Sequence, residues 1–194
     1  MNRALDRPHP DSRRAANARR AEIEVRGAVP SSSCDIHARM TFQPLATSVQ
    51  RAYTADLDAE DFYRVLRLRV DVFVVEQNCA YAELDGRDLE AGTRHFWIDA
   101  ADEHVLGYLR LLEEPAGLFR IGRVCTAGSA RGVGLGRKLM RAAVAEVRQS
   151  PVVLSAQTYA LEFYRSFGFE PTGDEYTEDG IPHVDMQRNP FDQR

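Results

Sequence analysis

A run of closely spaced glycines flanked by arginines is the part of this sequence best suited to hold a charged small molecule. Residues 131–137 read Arg-Gly-Val-Gly-Leu-Gly-Arg and lie between a predicted strand and a predicted helix. Backbone N–H groups and the helix dipole favour anions there, and glycine permits close approach because it has no Cβ. Arg131 and Arg137 would add charge-assisted hydrogen bonds. The pattern favours a pyrophosphate as ligand, while a tight turn explains the loop equally well on these residues alone.

Two common nucleotide-binding motifs do not fit this loop. A P-loop requires Gly-Lys followed by Ser or Thr, whereas here Gly136 is followed by Arg137 and Lys138. A dinucleotide fingerprint opens a βαβ unit and is followed about 20 residues later by an acidic residue. The next predicted strand, 152–156, carries no such acid, and antiparallel hairpins precede the loop. The glycines therefore belong to neither motif.

Several side chains have the chemistry to move a proton. Glu76 follows the apolar run 72–75, and burial there is expected to raise the pKa of its carboxyl toward neutrality. A structural alternative is that Glu76 pairs with Arg67 or Arg69. Other candidates for a general base are the carboxylate of Asp85 and the imidazoles of His95 and His183. A water that relays the proton is a further alternative. Glu76 is the first choice, because a lone histidine in a strand is more often a hydrogen-bonded structural residue.

Hydrophobic periodicity predicts the elements that would position these residues. Apolar residues at helical spacing predict helices over 59–70, 133–148 and 158–167, the last ended by Gly168. Runs rich in β-forming residues predict strands over 95–98, 105–112, 119–126, 152–156, 169–176 and 183–186. Polar turns at 101–104 and 178–180 predict antiparallel hairpins. The fold class that follows is a mixed α+β domain.

Composition indicates one globular domain with an N-terminal extension. The chain has 194 residues, of which 44% are hydrophobic and 28% are charged, as expected of a protein with a packed core. Residues 1–40 are rich in Arg, Ala and Ser and are predicted to be disordered or weakly structured, with the domain over 41–194 and Met40 as an alternative start. Because no apolar run approaches about 20 residues, we expect no membrane insertion or secretion and a cytoplasmic location.

Charge and cysteine usage narrow the partners. Residues 1–46 contain eight arginines and five acidic residues, which leaves 17 basic and 24 acidic residues in the remainder. An acidic body argues against a nucleic-acid groove, although the basic front leaves open a module that binds RNA. Cys34, Cys79 and Cys125 have wide, irregular spacing, which favours reduced thiols over a disulfide frame or a zinc cage, and no metal is implied.

An ordered set of motifs resembles the GNAT superfamily of acetyl-CoA-dependent N-acetyltransferases. The resemblance rests on Arg131-x-x-Gly134-x-Gly136, on residues 160–164 and on Phe167-Gly168-Phe169. The ElaA-like branch is indicated by further motifs, namely Leu68-Arg69, residues 72–77, Asp85-Gly86, Ile121-Gly122-Arg123, Ala156-Gln157 and residues 178–183. These landmarks run from Leu66 to Met186, whereas the first 40 residues match no familiar pattern.

The resemblance implies a fold and a donor site. It implies a three-layer fold with a mixed, mostly antiparallel central sheet that is splayed at the acyl-CoA site. The pantetheine of acetyl-CoA would lie between strands 119–126 and 152–156, and a backbone N–H there would stabilise negative charge on the thioester oxygen. The expected contacts to pantetheine come from Val124, Cys125 and Thr126, and those to the pyrophosphate come from Arg131, Gly132, Val133, Gly134, Gly136 and Arg137.

The resemblance also implies a reaction. Acetyl-CoA would donate its acetyl group, without a metal, to a primary amine of a small molecule, peptide or protein that attacks directly. Tyr164 matches the family's general acid, although its helical spacing with Phe163 and Phe167 also suits a core residue. Cys125 would lie beside the thioester and could form an acyl-cysteine intermediate. A packing role is favoured, because small buried cysteines usually fill the core. The alternative function is a non-catalytic acyl-CoA sensor or regulatory module. Whether the protein forms a homodimer is left open by the sequence.

Overall fold

The chain forms one mixed sheet with helices on both faces. The computed structural model describes residues 48–78, 81–101 and 103–190. The predicted extension over 1–40, its boundary with the domain, and two of the cysteines, Cys34 and Cys79, therefore lie outside the described residues. The strands are β1 (Gln50–Tyr53), β2 (Arg94–Asp99), β3 (Val105–Glu114), β4 (Leu118–Thr126), β5 (Val152–Gln157), β6 (Glu170–Pro171), β7 (Tyr176–Glu178) and β8 (Ile181–Arg188). The helices are α1 (Ala59–Arg69), α2 (Leu135–Glu146) and α3 (Leu161–Arg165).

The strand order confirms the predicted α+β class and its mostly antiparallel sheet. The order is β1-β2-β3-β4-β5-β8-β6, and β7 pairs with the first three residues of β8. Every neighbouring pair is antiparallel except β4 and β5, which are parallel. A parallel pair needs a crossover connection, and α2 supplies it between these two strands. The glycine loop lies in this crossover, directly before α2.

Alternating side chains on the central strands build two cores. On β2, Phe96 and Ile98 pack in the larger core under α2, whereas Trp97 packs with Val65 and Leu68 of α1 on the other side. This two-residue alternation is what a strand covered on both faces requires. Both helical layers therefore depend on the same three central strands.

The first helix begins as predicted and then changes its geometry. Asp58 caps α1, because its carboxylate accepts a hydrogen bond from the backbone N–H of Asp61 at 2.7 Å. After Arg69 the chain continues as a π-helix over Val70–Glu76, and the N–H of Gln77 donates to the carbonyl of Val72 at 3.1 Å. This segment was not predicted, since it is rich in β-branched valines, which disfavour helices, and its apolar residues lack helical spacing. Such wide turns are frequent at functional sites.

Three short elements also differ from the predicted ones. β1 was not predicted, because this edge strand is mostly exposed and has no apolar alternation. The predicted strand over 169–176 is instead two short strands, β6 and β7, separated by residues 172–175. Thr158–Ala160 is a 3₁₀ turn before the short helix α3. No helix within the described ranges is both long enough and apolar enough to span a membrane.

Candidate active site

A cavity of about 370 Å³ lies between β4 and β5. The two strands are paired at Phe119 with Val152 and at Arg120 with Val153. The cavity is lined by the residues that follow these pairs, 121–124 on β4 and Leu154, Ser155 and Gln157 on β5. Its remaining walls come from the π-helix, the loop over 81–87, the segment around α3 and the β7–β8 hairpin. Arg110 and Leu112 of β3 also line it, so seven separate parts of the chain meet at this point of the sheet.

A β-bulge in β4 shapes the cavity wall. Gly122 pairs with Arg110 and Cys125 pairs with Tyr108, so β4 has one residue more than β3 over this interval. The extra residue is accommodated at Arg123, whose φ of 55° lies in the left-handed region. A bulge removes residues from the ladder and turns their backbone away from it. Arg123 and Val124 line the cavity, and neither residue is paired with β3.

Buried ion pairs hold the bulge and the neighbouring loop in place. Arg69 of α1 is fully buried and contacts both Glu83 and Asp88 at 2.6 Å. Arg110 of β3 contacts Asp88 at 2.9 Å, and Arg123 contacts Glu83 at 2.7 Å. Because one broken pair would leave an uncompensated buried charge, the network ties the loop to α1, β3 and β4. Sequence reasoning missed it, although an arginine on the apolar face of the first helix was a signal.

Two of the candidate bases, Asp85 and His95, have their polar atoms engaged by neighbouring side chains. Asp85 lines the cavity, and although partial burial opposes ionisation, hydrogen bonds from Arg110 and the charges of Arg110 and Arg123 lower its pKa to about 2. Such a carboxylate is a weak base. His95 lies between Tyr108 at 2.7 Å and Thr54 at 3.0 Å. Burial lowers the pKa of His95 to about 4 despite nearby Asp88, and its ring is not part of the cavity lining.

The expectation that burial raises the pKa of Glu76 is wrong. The Glu76 side chain is 46% exposed and forms a two-point ion pair with Arg131, at 2.6 Å and 2.7 Å. Hydrogen bonds from Arg131 lower the pKa of the Glu76 carboxyl below its ordinary value. The apolar run that precedes Glu76 forms the π-helix, and its last residue points to solvent. Neither Arg67 nor Arg69 is the partner of Glu76.

The glycine loop has the backbone geometry of an open anion site. Gly132 and Gly134 have φ values of 78° and 84°, which residues with a Cβ rarely adopt. Gly134 is the N-cap residue of α2, and no side chain caps that first turn. A Cβ placed on either glycine would meet nothing within 4 Å. The N-terminal N–H groups of α2 are therefore accessible to a phosphate, and the residues present fit a diphosphate.

The other predicted residues of the loop have additional contacts. Arg137 donates to Ser166 Oγ at 2.9 Å, and its guanidinium lies 5.7 Å from the Phe163 ring centroid. A Cβ on Gly136 would lie 3.5 Å from the Phe163 ring, which is ordinary van der Waals contact, so packing against α3 does not require a glycine there. Val133 is exposed. None of the residues 131–137 lines the cavity itself.

The three predicted residues of β4 have different environments. Val124 lines the cavity. Cys125 is buried in the core under α1, and burial raises the pKa of its thiol to about 12. Thr126 pairs with Gly107 of β3, and its carbonyl oxygen accepts a hydrogen bond from Arg131 at 3.3 Å. Because the thiolate is the nucleophilic form, the environment of Cys125 disfavours an acyl-cysteine.

Tyr164 lies on α3 and lines the cavity. Its ring packs edge-on against Phe163, with centroids 5.1 Å apart, and against Phe169, with centroids 6.3 Å apart. Burial raises the pKa of the Tyr164 phenol above its ordinary value. The phenol is therefore protonated at neutral pH and has a proton to donate. The packing alternative and the catalytic alternative both agree with this position.

His183 lines the same cavity from β8. Its Nδ1 lies 2.8 Å from the carbonyl oxygen of Ile181, and its ring stacks on Tyr176 with centroids 6.0 Å apart. The structure therefore brings together Tyr164, His183 and Val124 in the cavity. It brings Glu76 together with Arg131 at the glycine loop.

Comparisons with known proteins place this chain in a family. The family model described as "Acetyltransferase (GNAT) domain" matches residues 55–190. A UPF0039 protein of Mycobacterium tuberculosis is 51% identical over 147 residues, which cover 74% of this chain and 94% of that protein. The protein ElaA of Escherichia coli is 38% identical over 145 residues, which cover 72% of this chain and 94% of ElaA.

Solved structures show the same fold. The crystal structure of an acyl-CoA N-acyltransferase from Pseudomonas aeruginosa has a TM-score of 0.68 and 40% identity, with 73% of this chain and 99% of that chain covered. The crystal structure of Escherichia coli ElaA has a TM-score of 0.69 and 36% identity, with the same coverage. The predicted resemblance to the GNAT superfamily and to its ElaA-like branch is confirmed.

Proposed function

The chain belongs to the GNAT acetyltransferase family, with UPF0039 and ElaA proteins among its relatives, and on this premise we propose that it transfers an acetyl group from acetyl-CoA to a primary amine. The family implies an acyl-CoA donor and an acyl acceptor. One observation carries the proposal: an uncapped, glycine-lined helix N-terminus and a cavity with a protonated tyrosine both adjoin the β4–β5 junction. We propose direct attack by the amine, because the environment of Cys125 disfavours a thiolate.

The donor is proposed to bind across the β4–β5 junction. Gly132 and Gly134 expose the N–H groups that would hold its diphosphate, and Arg131 and Arg137 would add charge. The backbone of residues 124–126, beside the bulge, would hold the pantetheine arm and polarise the thioester carbonyl. This assignment requires β4 and β5 to diverge after Arg120, which agrees with the short stretch of pairing between them. Acetyl-CoA supplies the acetyl group as an activated thioester.

Tyr164 is proposed as the general acid. Its phenol lines the cavity and is kept neutral by burial, so it can donate a proton to the departing sulfur. Glu76 is not proposed as the base, because its carboxylate is exposed and ion-paired. We propose instead that Glu76 pairs with the Arg131 guanidinium when no donor is bound, and that a diphosphate would displace it.

The acceptor is proposed to enter through the open side of the cavity. Glu178, the last residue of β7, and Asp179, in the turn that follows, line the cavity and would attract an ammonium group. The acetyltransferase domain is proposed to span residues 41–194, with residues 1–40 as an extension that takes no part in the reaction. We further propose that the protein acts in the cytoplasm and requires no metal.

A ligand screen followed by a transfer assay tests the function. Acetyl-CoA and CoA are expected to raise the melting temperature, whereas ATP and NAD are expected to leave it unchanged. Release of free thiol in the presence of amines, polyamines or peptides would support the enzyme. Binding without thiol release with any amine would instead support a sensor, and no shift with saturating acetyl-CoA would overturn the donor site.

A further inference from the structure

We propose that His183 is the general base, which takes the proton from the ammonium form of the acceptor. This inference rests on the proposed function and assigns the step for which Glu76 was expected. His183 and Tyr164 line one cavity from different elements, β8 and α3. An acid and a base at one cavity are what amine acetylation needs, because the nucleophile must lose a proton and the leaving sulfur must gain one.

The tautomer of His183 follows from its partner. Nδ1 lies 2.8 Å from the carbonyl oxygen of Ile181, and a carbonyl oxygen can only accept a hydrogen bond. Nδ1 therefore carries the hydrogen, and the lone pair of the neutral ring is on Nε2. Nδ1 points back to the strand, so Nε2, on the opposite side of the ring, is the atom available to an acceptor.

The ring is held by its neighbours on the sheet. Ile181 and His183 are two positions apart on β8, so both side chains face the cavity. Tyr176 stacks on the imidazole at an interplanar angle of 25°. Tyr176 is itself anchored, because its hydroxyl donates to Asp185 at 3.0 Å and Ser155 donates to the same carboxylate at 2.7 Å. The base is therefore positioned before the acceptor binds.

The other candidates are occupied elsewhere. Glu76 is ion-paired with Arg131, Asp85 is ion-paired with Arg110 and Arg123, and His95 is outside the cavity lining. Tyr176 of β7 stacks on His183, and Gln157 of β5 is its neighbour in the sheet. The other titratable or charged residues that line the cavity are Tyr81, Asp85, Arg87, Arg110, Arg120, Arg123, Tyr159, Tyr164, Glu178 and Asp179.

The proton balance of the step is complete. Nε2 of His183 takes one proton from the ammonium, and the nitrogen lone pair then forms the C–N bond to the acetyl carbon. The C–S bond breaks with its electron pair on sulfur, and Tyr164 donates its proton to that sulfur. Tyr164 recovers a proton from the new amide nitrogen, and His183 releases the first proton to water. The products are the acetylated amine, CoA thiol and one proton.

The pH dependence of kcat/KM tests the proposal. In the wild type, kcat/KM for thiol release is expected to reach a plateau at a pH below that at which the free amine forms, because a base of the enzyme removes the proton from the ammonium. His183→Asn is expected to lower kcat/KM at neutral pH by about a hundredfold or more. Its residual rate should keep rising with pH up to the titration of the amine itself, because only the free amine then reacts. His104→Asn, a histidine change outside this cavity, should keep the wild-type profile.

Two further measurements separate the outcomes. Nitrogen NMR of labelled His183 is expected to show the hydrogen on Nδ1 in the neutral ring, and a hydrogen on Nε2 would overturn the proposal. The thermal shift with acetyl-CoA should persist in His183→Asn and in His183→Gln, which shows that both variants fold and bind the donor. If the variants keep the wild-type rate and profile, His183 is not the base although the enzyme stands. If the wild type acetylates no amine, the proposed function itself fails, and this inference with it.

Discussion

Glu76 and Arg131 are 55 positions apart in the sequence and form a two-point ion pair, with Oε1 2.6 Å from Nη1 and Oε2 2.7 Å from Nη2. The pair joins the last residue of the π-helix to the first residue of the glycine loop. A guanidinium that is forked onto a carboxylate cannot offer the same two N–H groups to a phosphate. We therefore expect Glu76 and a bound diphosphate to compete for Arg131.

Removing the charge of Glu76 is expected to strengthen donor binding. Glu76→Gln frees the guanidinium of Arg131, so the Kd of acetyl-CoA measured by calorimetry should fall by about two- to fivefold, a small factor because exposed ion pairs are weak. The gain should shrink at high salt. Glu162→Gln, which breaks another exposed pair with an arginine, is the matched control and should leave Kd unchanged. Weaker binding by Glu76→Gln would instead mean that the carboxylate holds Arg131 in its binding position.

A methyl group at Gly134 is expected to damage the anion site. Gly134→Ala forces a residue with a Cβ into φ 84° at the start of α2. This should lower the free energy of unfolding by about 1–2 kcal/mol and raise the Kd of acetyl-CoA about tenfold or more. Gly173→Ala is the control, since a Cβ there also meets nothing within 4 Å and its φ lies outside the left-handed region. Equal acetyl-CoA affinity of the two variants would argue against phosphate binding at the loop.

Loss of the Tyr164 hydroxyl is expected to slow the reaction without weakening donor binding. Tyr164→Phe keeps the ring that packs against Phe163 and Phe169, so the melting temperature and the acetyl-CoA Kd should stay close to wild type. Turnover should fall by about one to three orders of magnitude if the phenol protonates the leaving sulfur. Tyr63→Phe on the exposed face of α1 should have no effect on turnover. Unchanged turnover in Tyr164→Phe would assign this side chain to packing alone.

The ionised form of Asp85 is expected to stabilise the fold. The pKa of Asp85 is lowered to about 2 from its ordinary 3.8, against the effect of partial burial, by Arg110 and Arg123. A lowered carboxyl pKa stabilises the native state above pH 4, and the contribution disappears as pH falls toward 2. Asp85→Asn should therefore cost about 1–2 kcal/mol in urea unfolding at pH 7, after allowance for solvent screening.

The pH dependence distinguishes this charge effect from a packing effect. The difference in stability between wild type and Asp85→Asn should narrow when the unfolding measurements are repeated between pH 4 and pH 3. Asp179→Asn in the exposed β7–β8 turn is the control and should match wild type at each pH. A difference for Asp85→Asn that is independent of pH would show that the asparagine disturbs packing rather than charge.

The parts of the fold that local patterns specify were predicted from the sequence. The apolar spacing in 59–70 and 133–148 predicted α1 and α2 within a few residues, and the β-rich runs predicted β2 to β5. The glycines at 132 and 134 were identified because a positive φ leaves a signature in residue type. The π-helix escaped prediction because its geometry depends on the packing of Val72 against the core rather than on spacing.

Ionisation states depended on contacts between distant residues. Glu76 follows four apolar residues, from which burial was inferred, yet its environment is decided by Arg131 in a different part of the chain. The same holds for Asp85, whose partners Arg110 and Arg123 lie on two other strands.

By itself the sequence determined the α+β class, the order of the elements, the family and the glycine-rich helix start, because each of these is written in residue type and short-range spacing. Only the tertiary structure decided which carboxylates are paired, that Arg123 occupies a bulge beside the cavity, and that His183 and Tyr164 share one cavity. The physical reason is that charge, burial and proximity act through space, whereas periodicity records only the local preferences of the chain.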